Sequence, residues 1–550
     1  MPSIERTCRI TGKQFIVSEQ EQELRKSFGV GLPDISPGER MRYLMCFRNI
    51  STLYSDTCDL CGKFTLSIWG EHPNFPVYCR ECWWSDAWQP VQRDIDFTRP
   101  FFDQLKELCD GSPHPAVAVD GTIVNSDFCN AVTNLKNCYM TFSTQKSEDC
   151  YYCVGCVENR YCVDTQGTDR GESLYECLAC DQSFNVRWSE YATNCTDSLF
   201  LYDCSDCSNC ALSAGLRHKQ YVYGNEQLTK DDYEKKIAEL EKGSYQTVQN
   251  YRALFSQMKQ KYPKKYIVGR NNEDATGNLL VRCKDVVGGY GLTDCENCVN
   301  VFSGWTFKDS ADVCTFGGHT QRCLSCTSVG NNSSDIRYSW SCYGSSLNIE
   351  YSAMCVSSSH CFGCAFGRKF EYSILNKQYS KEEYEKNTAL LREKMKERGE
   401  DEQMFRFDMI PFAYNESLAQ MNMPLSCEEA ERRGFRWKEK TVPHTSSDKI
   451  YTPSDTIVDT SWEDIDGKVI ICEESGRPFK IIKQEFEFYK KYGIPLPRLH
   501  WEVRMMRRYP HDLLFNLHIG NCCHCGAAVE TSMPEDEQIL CELCYQKNII

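Results

Sequence analysis

Cys58-Asp59-Leu60-Cys61 is followed, seventeen residues later, by Cys79-Arg80-Glu81-Cys82. The same pattern closes the chain: Cys522-x-x-Cys525, fifteen residues, then Cys541-x-x-Cys544. Two thiolates three residues apart on a tight knuckle grip one side of a tetrahedral ion. A second knuckle about 15–20 residues on closes the other side. The spacing predicts two zinc ribbons. Cys58, Cys61, Cys79 and Cys82 are the expected ligands of one Zn2+ ion, and Cys522, Cys525, Cys541 and Cys544 those of the other. With four cysteine donors no coordination position is left for water, which points to structural zinc. A ribbon of about 25 residues buries too little apolar area to fold alone. Metal binding supplies the deficit, on the order of 10–16 kcal/mol in zinc-finger peptides.

Moving outward from the cages, the two ends match each other. Cys8-x-x-Thr11-Gly12-Lys13-Gln14-Phe15 aligns with Cys472-x-x-Ser475-Gly476-Arg477-Pro478-Phe479, and Leu32-Pro33 aligns with Leu496-Pro497. The offset of 464 also carries Cys58 and Cys61 onto Cys522 and Cys525. The stretch before each cage resembles the treble-clef-like ribbon family, whose usual form is Cys-x-x-Cys-Gly followed by Cys-Pro-x-Cys-Arg. Here Thr11 or Ser475 stands at the second ligand position. Ser36 and Glu39, or His500 and Val503, stand where the later pair belongs. These halves are expected to keep the shape without the metal, with a Cys472–His500 site left open as an alternative. Arg40, Arg42 and Arg48 follow the first half, and Arg504, Arg507 and Arg508 the second. Arginine grips phosphate bidentately, so these six form one candidate partner surface; the other reading is a helix face with internal salt bridges. Trp83 and Trp84 are a second candidate patch, for stacking or for docking the ribbon.

The middle is duplicated too. Asn225-x-Gln227-x-Thr229-Lys230 maps onto Asn376-x-Gln378-x-Ser380-Lys381 at an offset of 151. Within each cysteine-rich stretch a period of 18 to 19 shows, as in Cys138 to Cys156 and Cys323 to Cys342. With β-formers and turn residues between, that period predicts a solenoid of short parallel strands, one coil per period. Cysteine suits a stacked inner position because it is small and apolar. Thr229-x-x-Asp232 and Ser380-x-x-Glu383 predict helix starts, and a further helix is expected from Tyr245 to Lys261 before Pro263. These arms would cap open strand edges.

The chain has 550 residues, 36 of them cysteine, and a formal charge of −15. That charge argues against a surface coated for nonspecific DNA binding. No signal peptide is read in the first fifteen residues and no run of about 18 apolar residues occurs. The expectation is a cytoplasmic protein with no membrane span and reduced thiols. Motifs for a nucleophile elbow, a phosphate loop or a zinc protease are not found.

As a whole the chain resembles the cysteine-rich double zinc-ribbon proteins of candidate-phyla (ultra-small) bacteria. The residues that carry the resemblance are Cys58-Asp-Leu-Cys61-Gly-Lys, Cys79-Arg-Glu-Cys82-Trp-Trp, Asn376-Lys-Gln-Tyr-Ser-Lys-Glu-Glu-Tyr384 and Ala413-Tyr-Asn-Glu416. It implies architecture and carries no activity. The expected fold is multidomain and mostly β with helical arms: two terminal zinc-ribbon, treble-clef-like modules flanking a duplicated cysteine-rich parallel β-solenoid. The expected segments are a module at 1–95, solenoid blocks at 96–215 and 271–366, and arms at 216–270 and 367–400. A connector at 401–464 and a module at 465–550 complete the series. The expected function is a non-enzymatic zinc-binding scaffold for a protein or ribonucleoprotein partner. A β-solenoid enzyme acting on polysaccharide and a thiol-rich metal buffer or redox protein are the alternatives.

Overall fold

A computed structural model describes all residues except 1, 71–72, 440–445, 447–448, 511–512, 516 and 549–550. Part of the expected connector therefore lies outside the described residues. The chain is mostly sheet with several helices. It divides into two compact units assembled from separated segments. The first unit comprises 1–117, 265–438 and 510–541; the second comprises 118–264, 439–509 and 542–550. Packing thus does not follow the linear series of segments. The N-terminal module shares a unit with the second cysteine-rich stretch, and residues 465–509 share one with the first.

The second unit shows how its ladder is built. Tyr139, Tyr151, Val163, Tyr175 and Arg187 bridge one another in parallel, each to the residue 12 further on. Phe184, Thr196, Ser208 and Gln220 continue the same register. In the first unit Lys284 pairs with Glu296, while Gln321 pairs with Ser334 and Ser334 with Leu347. The last two steps are 13 residues, one more than the rule. The expected period of 18 to 19 is therefore corrected to 12 or 13.

A three-residue unit underlies this register. Cys150 is buried, Tyr151 carries the bridge, and Tyr152 takes a left-handed φ of 57°. Tyr151 N donates to the Cys162 carbonyl at 2.9 Å, and Tyr152 N to the Tyr139 carbonyl at 3.1 Å. Left-handed residues then recur every third position over long stretches, from Asn125 and Phe128 through Ala131, Asn134 and Asn137. Asparagine and aspartate tolerate that region best after glycine, which accounts for much of the Asn/Asp content. They also stack: Asn185 donates to Asp197 at 2.7 Å and Asn297 to Asp309 at 2.7 Å.

The inward position carries the cysteines. Cys129 through Cys210 form one buried cluster with Val132, Leu135, Leu174, Val186 and Leu201. Cysteine suits that position because it is small and apolar, and the structure also gives it hydrogen-bond partners. Cys180 N donates to Thr168 Oγ1 at 3.2 Å, and Cys180 Sγ donates to the Leu178 carbonyl at 3.5 Å. The same sulfur is also 3.3 Å from the Ser189 carbonyl. Serine does the same elsewhere: Cys210 N donates to Ser198 Oγ at 3.1 Å and Cys364 N to Ser352 Oγ at 3.0 Å. The side chain one register below thus serves an inward N–H. Thr168→Val would remove the acceptor and leave the buried Cys180 N–H unpaired. A loss of about 1–3 kcal/mol is expected, whereas Thr168→Ser, which keeps an acceptor, should lose less. Urea denaturation of the two variants reads the difference directly; equal midpoints would contradict the assignment.

The helices stand where their caps place them. Lys230–Ile237 is capped by Thr229, and Lys381–Glu397 by a Ser380/Glu383 capping box. Tyr245–Lys261 is continuous and capped by Ser244.

Each unit also has a duplicated docking contact. In the first, Arg40 Nε binds Asp312 at 2.8 Å, its Nη2 binds Glu21 at 2.8 Å, and its Nη1 donates to the Ile35 carbonyl at 2.8 Å. In the second, Arg504 Nε binds Asp164 at 2.7 Å and its Nη1 donates to the Leu499 carbonyl at 2.7 Å. Arg504, Leu499 and Glu485 are the duplicates, 464 residues on, of Arg40, Ile35 and Glu21. Asp312 and Asp164 are each buried and each left-handed. The same arginine thus fastens the segment before each cage to the ladder in its own unit.

Candidate metal centres

Each cage begins on a hairpin. Tyr54–Thr57 pairs antiparallel with Phe64–Ser67, and the knuckle lies between them. Cys58 N donates to the Lys63 carbonyl at 2.8 Å, and Gly62 N to the Cys58 carbonyl at 2.8 Å. Gly62 sits at φ 70°, a left-handed turn that a side chain would strain. Cys79 then precedes the helix Arg80–Trp84, so Cys82 lies one turn into that helix. Cys522 repeats the geometry between His518–Asn521 and Ala528–Thr531. Cys522 N donates to the Ala527 carbonyl at 2.8 Å, and Gly526 has φ 75°.

The donor atoms of Cys58, Cys61, Cys79 and Cys82 all lie within 4.8 Å of one another, as do those of Cys522, Cys525, Cys541 and Cys544. Cys61 and Cys79 sulfurs stand 3.9 Å apart, Cys525 and Cys541 sulfurs 3.7 Å. A tetrahedral ion with metal–sulfur bonds of about 2.3 Å needs sulfurs about 3.8 Å apart. The two groups therefore fit a metal ion in size and in donor chemistry. Cys523 is exposed and stands outside the second group.

Electrostatics favour the thiolate at the first ligand of each cage. Burial pushes Cys58 up, but the N–H groups of Cys79, Cys61 and Leu60 outweigh it and hold the thiol down to about 7. Cys79 N donates to Cys58 Sγ at 3.2 Å. At Cys522 the N–H of Cys541 is the main cause, and the thiol falls to about 6.

Two more knuckles have the same backbone without the donors. Cys8 N donates to the Lys13 carbonyl at 2.8 Å, and Cys472 N to the Arg477 carbonyl at 2.9 Å. Ser36 N donates to Cys8 Sγ at 3.3 Å, taking the place of Cys79 N in the first cage. At Cys472 that role falls to the N–H of His500. Ser36 and His500 each precede a helix, Pro37–Met45 and Trp501–Arg508. His500 Nδ1 accepts the Glu502 N–H at 3.2 Å, so it caps its own helix. Among the described residues neither Cys8 nor Cys472 belongs to a group of three or more donors.

The expected arginine surface is corrected by the packing. Arg40 and Arg504 are the docking residues just described. Arg42 binds the Tyr414 hydroxyl and donates to the Met423 carbonyl at 2.9 Å. Arg48 Nη1 donates to Thr315 at 2.9 Å and Ser328 at 2.8 Å. Arg508 is 11% exposed and turned toward Asp164 and Glu176. Arg507 alone of the six is largely exposed, at 59%, and it pairs with Glu474. The sequence shows the arginines but not the partners that Arg40, Arg42, Arg48 and Arg504 find hundreds of residues away. Trp83 is buried against Trp88, with ring centroids 4.7 Å apart, while Trp84 is 39% exposed beneath the Arg368 guanidinium.

No helix among the described residues is long and apolar enough to cross a membrane. No protein-family model matches the chain, and no curated protein matches it.

Proposed function

We propose that the protein is a non-enzymatic scaffold whose two cages hold structural zinc and whose partner is a protein. The ladders would be the two blocks of a β-solenoid with 12 residues per coil, a rigid frame for the modules. The likeness to double zinc-ribbon proteins of candidate-phyla bacteria is part of the same reading. Four thiolates close each coordination sphere, which suits architecture and leaves no position for a reacting water. The observation that carries the partner class is the state of the module surfaces. Five of the six arginines are turned inward, whereas Phe64 beside the first cage is 70% exposed and Ile519 beside the second is 68% exposed. Exposed apolar residues on metal-stiffened hairpins favour a protein partner over a phosphate backbone.

The test is affinity capture with the full chain, with and without nuclease, comparing wild type with Phe64→Ser and Ile519→Ser. Capture of a defined protein that survives nuclease and drops at least tenfold in a serine variant is the expected result. Loss on nuclease treatment, or binding that falls steeply with salt as phosphate contacts do, would replace the protein by RNA. Capture indifferent to both serine variants would remove the hairpin surface from the account.

A further inference from the structure

The second unit has a partly open cavity of about 210 Å³ between the ladder, the helix Tyr245–Lys261, and the segment leading into Trp501–Arg508. Its apolar wall includes Tyr175, Trp188, Phe200 and Phe255. Trp188 and Phe200 rings stack at 5.0 Å, and Phe200 meets Phe255 edge-on at 5.6 Å.

Three lining residues, Trp188, Arg498 and Arg508, each carry a buried N–H without a hydrogen-bond partner, at Nε1, Nε and Nε respectively. All three are donors, and no lining residue has a buried acceptor in the same state. Trp188 is 4% exposed. The carboxylates nearest Arg508 are Asp164 at 3.7 Å and Glu176 at 3.9 Å, both beyond hydrogen-bond reach. Both are already engaged, Asp164 by Arg504 and Glu176 by Arg252. Arg252, Arg504 and Arg508 thus face Asp164 and Glu176, with Glu485 a third buried carboxylate beside Arg504, so the charges match in number while the three N–H groups stay without acceptors. Buried donors without acceptors are costly unless a ligand completes them.

The duplicated half in the first unit supplies a comparison. Where the second unit has Arg508, the first has Leu44, which is 2% exposed and part of the core. Where the second has the pair Glu473–Arg498, the first has Arg9–Asp34 with the charges exchanged. The docking arginine is common to both copies. Arg498 and Arg508, two of the cations that line the cavity, have no cationic counterpart in the other copy.

We propose that this cavity binds a small organic anion, one carboxylate or phosphate group on an aromatic body. The oxyanion would accept from Arg508, Arg498 and Trp188, and the ring would lie against Phe200 and Phe255. An apolar cavity of about 150 Å³ takes up benzene, so the volume here suits a single ring with its substituent.

Calorimetric titration of the full chain tests this with phenylacetate, phenyl phosphate, benzyl alcohol and inorganic phosphate. At least one aromatic anion should bind tenfold or more tightly than both benzyl alcohol and inorganic phosphate. Whichever of the two binds better identifies the oxyanion. Arg508→Leu, which copies the other half, and Trp188→Phe, which keeps the ring and deletes the donor, should each weaken that binding at least tenfold. Ser256→Trp at the exposed rim should block entry without touching the core, so the proposal is testable even if Arg508→Leu fails to fold. Equal affinity for benzyl alcohol, unchanged binding in Ser256→Trp, or no binding of either anion at 10 mM (roughly the limit of measurable affinity) would overturn it.

Discussion

Replacing Arg504 with methionine is expected to destabilise the protein by about 3–5 kcal/mol, the usual result of removing one partner of a buried ion pair. Asp164 is 1% exposed, and the substitution would strip it of its only short ion pair, leaving Arg508 at 3.7 Å. Burial already pushes the Asp164 carboxyl above its ordinary range, and Arg504 and Arg508 oppose that shift. Without Arg504 the aspartate would have to take up a proton or move. Arg40→Met should have a similar effect on the first unit, where Asp312 loses one of two arginines and Arg25 remains. Urea denaturation with a double-mutant cycle checks the assignment. Arg504→Met in an Asp164→Asn background should cost well under the sum of the single changes. Additive costs would mean the two side chains do not act as a pair.

Cys79→Ser is expected to have the largest effect of any single substitution in the first module. The loss would be a large part of the ion's contribution, on the order of 10–16 kcal/mol in peptides that fold only with metal. Besides the ion, the ribbon is held by Val77–Tyr78 pairing with His114–Pro115 and by Trp69, which is buried and stacked on Phe412. Its hairpin is four residues per strand, and the helix after Cys79 spans Arg80–Trp84, of which only Trp83 is buried. Serine keeps the size but is a poor donor to a soft ion. Limited proteolysis should cut the variant between residues 54 and 84 under conditions that leave the wild type whole. Wild-type protein treated with a chelator should be cut in the same place. Cys523→Ser, beside the second cage but outside its donor group, should behave as wild type.

Much of this architecture could be read from residues close in sequence. Cys58, Cys61, Cys79 and Cys82 announce a donor group because a knuckle is a local structure. Ser380 and Glu383 announce a helix for the same reason. The ladder period could not be read from cysteine pairs alone. Every cysteine from Cys129 to Cys210 lies a multiple of three residues from the others, since each third residue points inward. Pairs 18 apart are therefore both inward, yet they are not ladder partners, because pairing joins residues 12 apart. The triplet rule is present in the numbering, but a spacing of 18 satisfies it without being the ladder step. The arginines failed for another reason. Arg40 and Arg504 look like surface cations on short charged helices until Asp312 and Asp164 are brought to them by the fold. Cys8 and Cys472 show the opposite case, a knuckle backbone that persists after the donors have gone.

The most direct test of the cages is the metal content of the purified full chain, measured by native mass spectrometry together with elemental analysis. The account predicts two zinc ions per chain, one in Cys61→Ser and one in Cys525→Ser, with loss of the folded circular-dichroism signal of the modules on complete chelation. Protein that is fully folded without bound ions, or that holds well over two ions per chain in readily exchanged form, would contradict it.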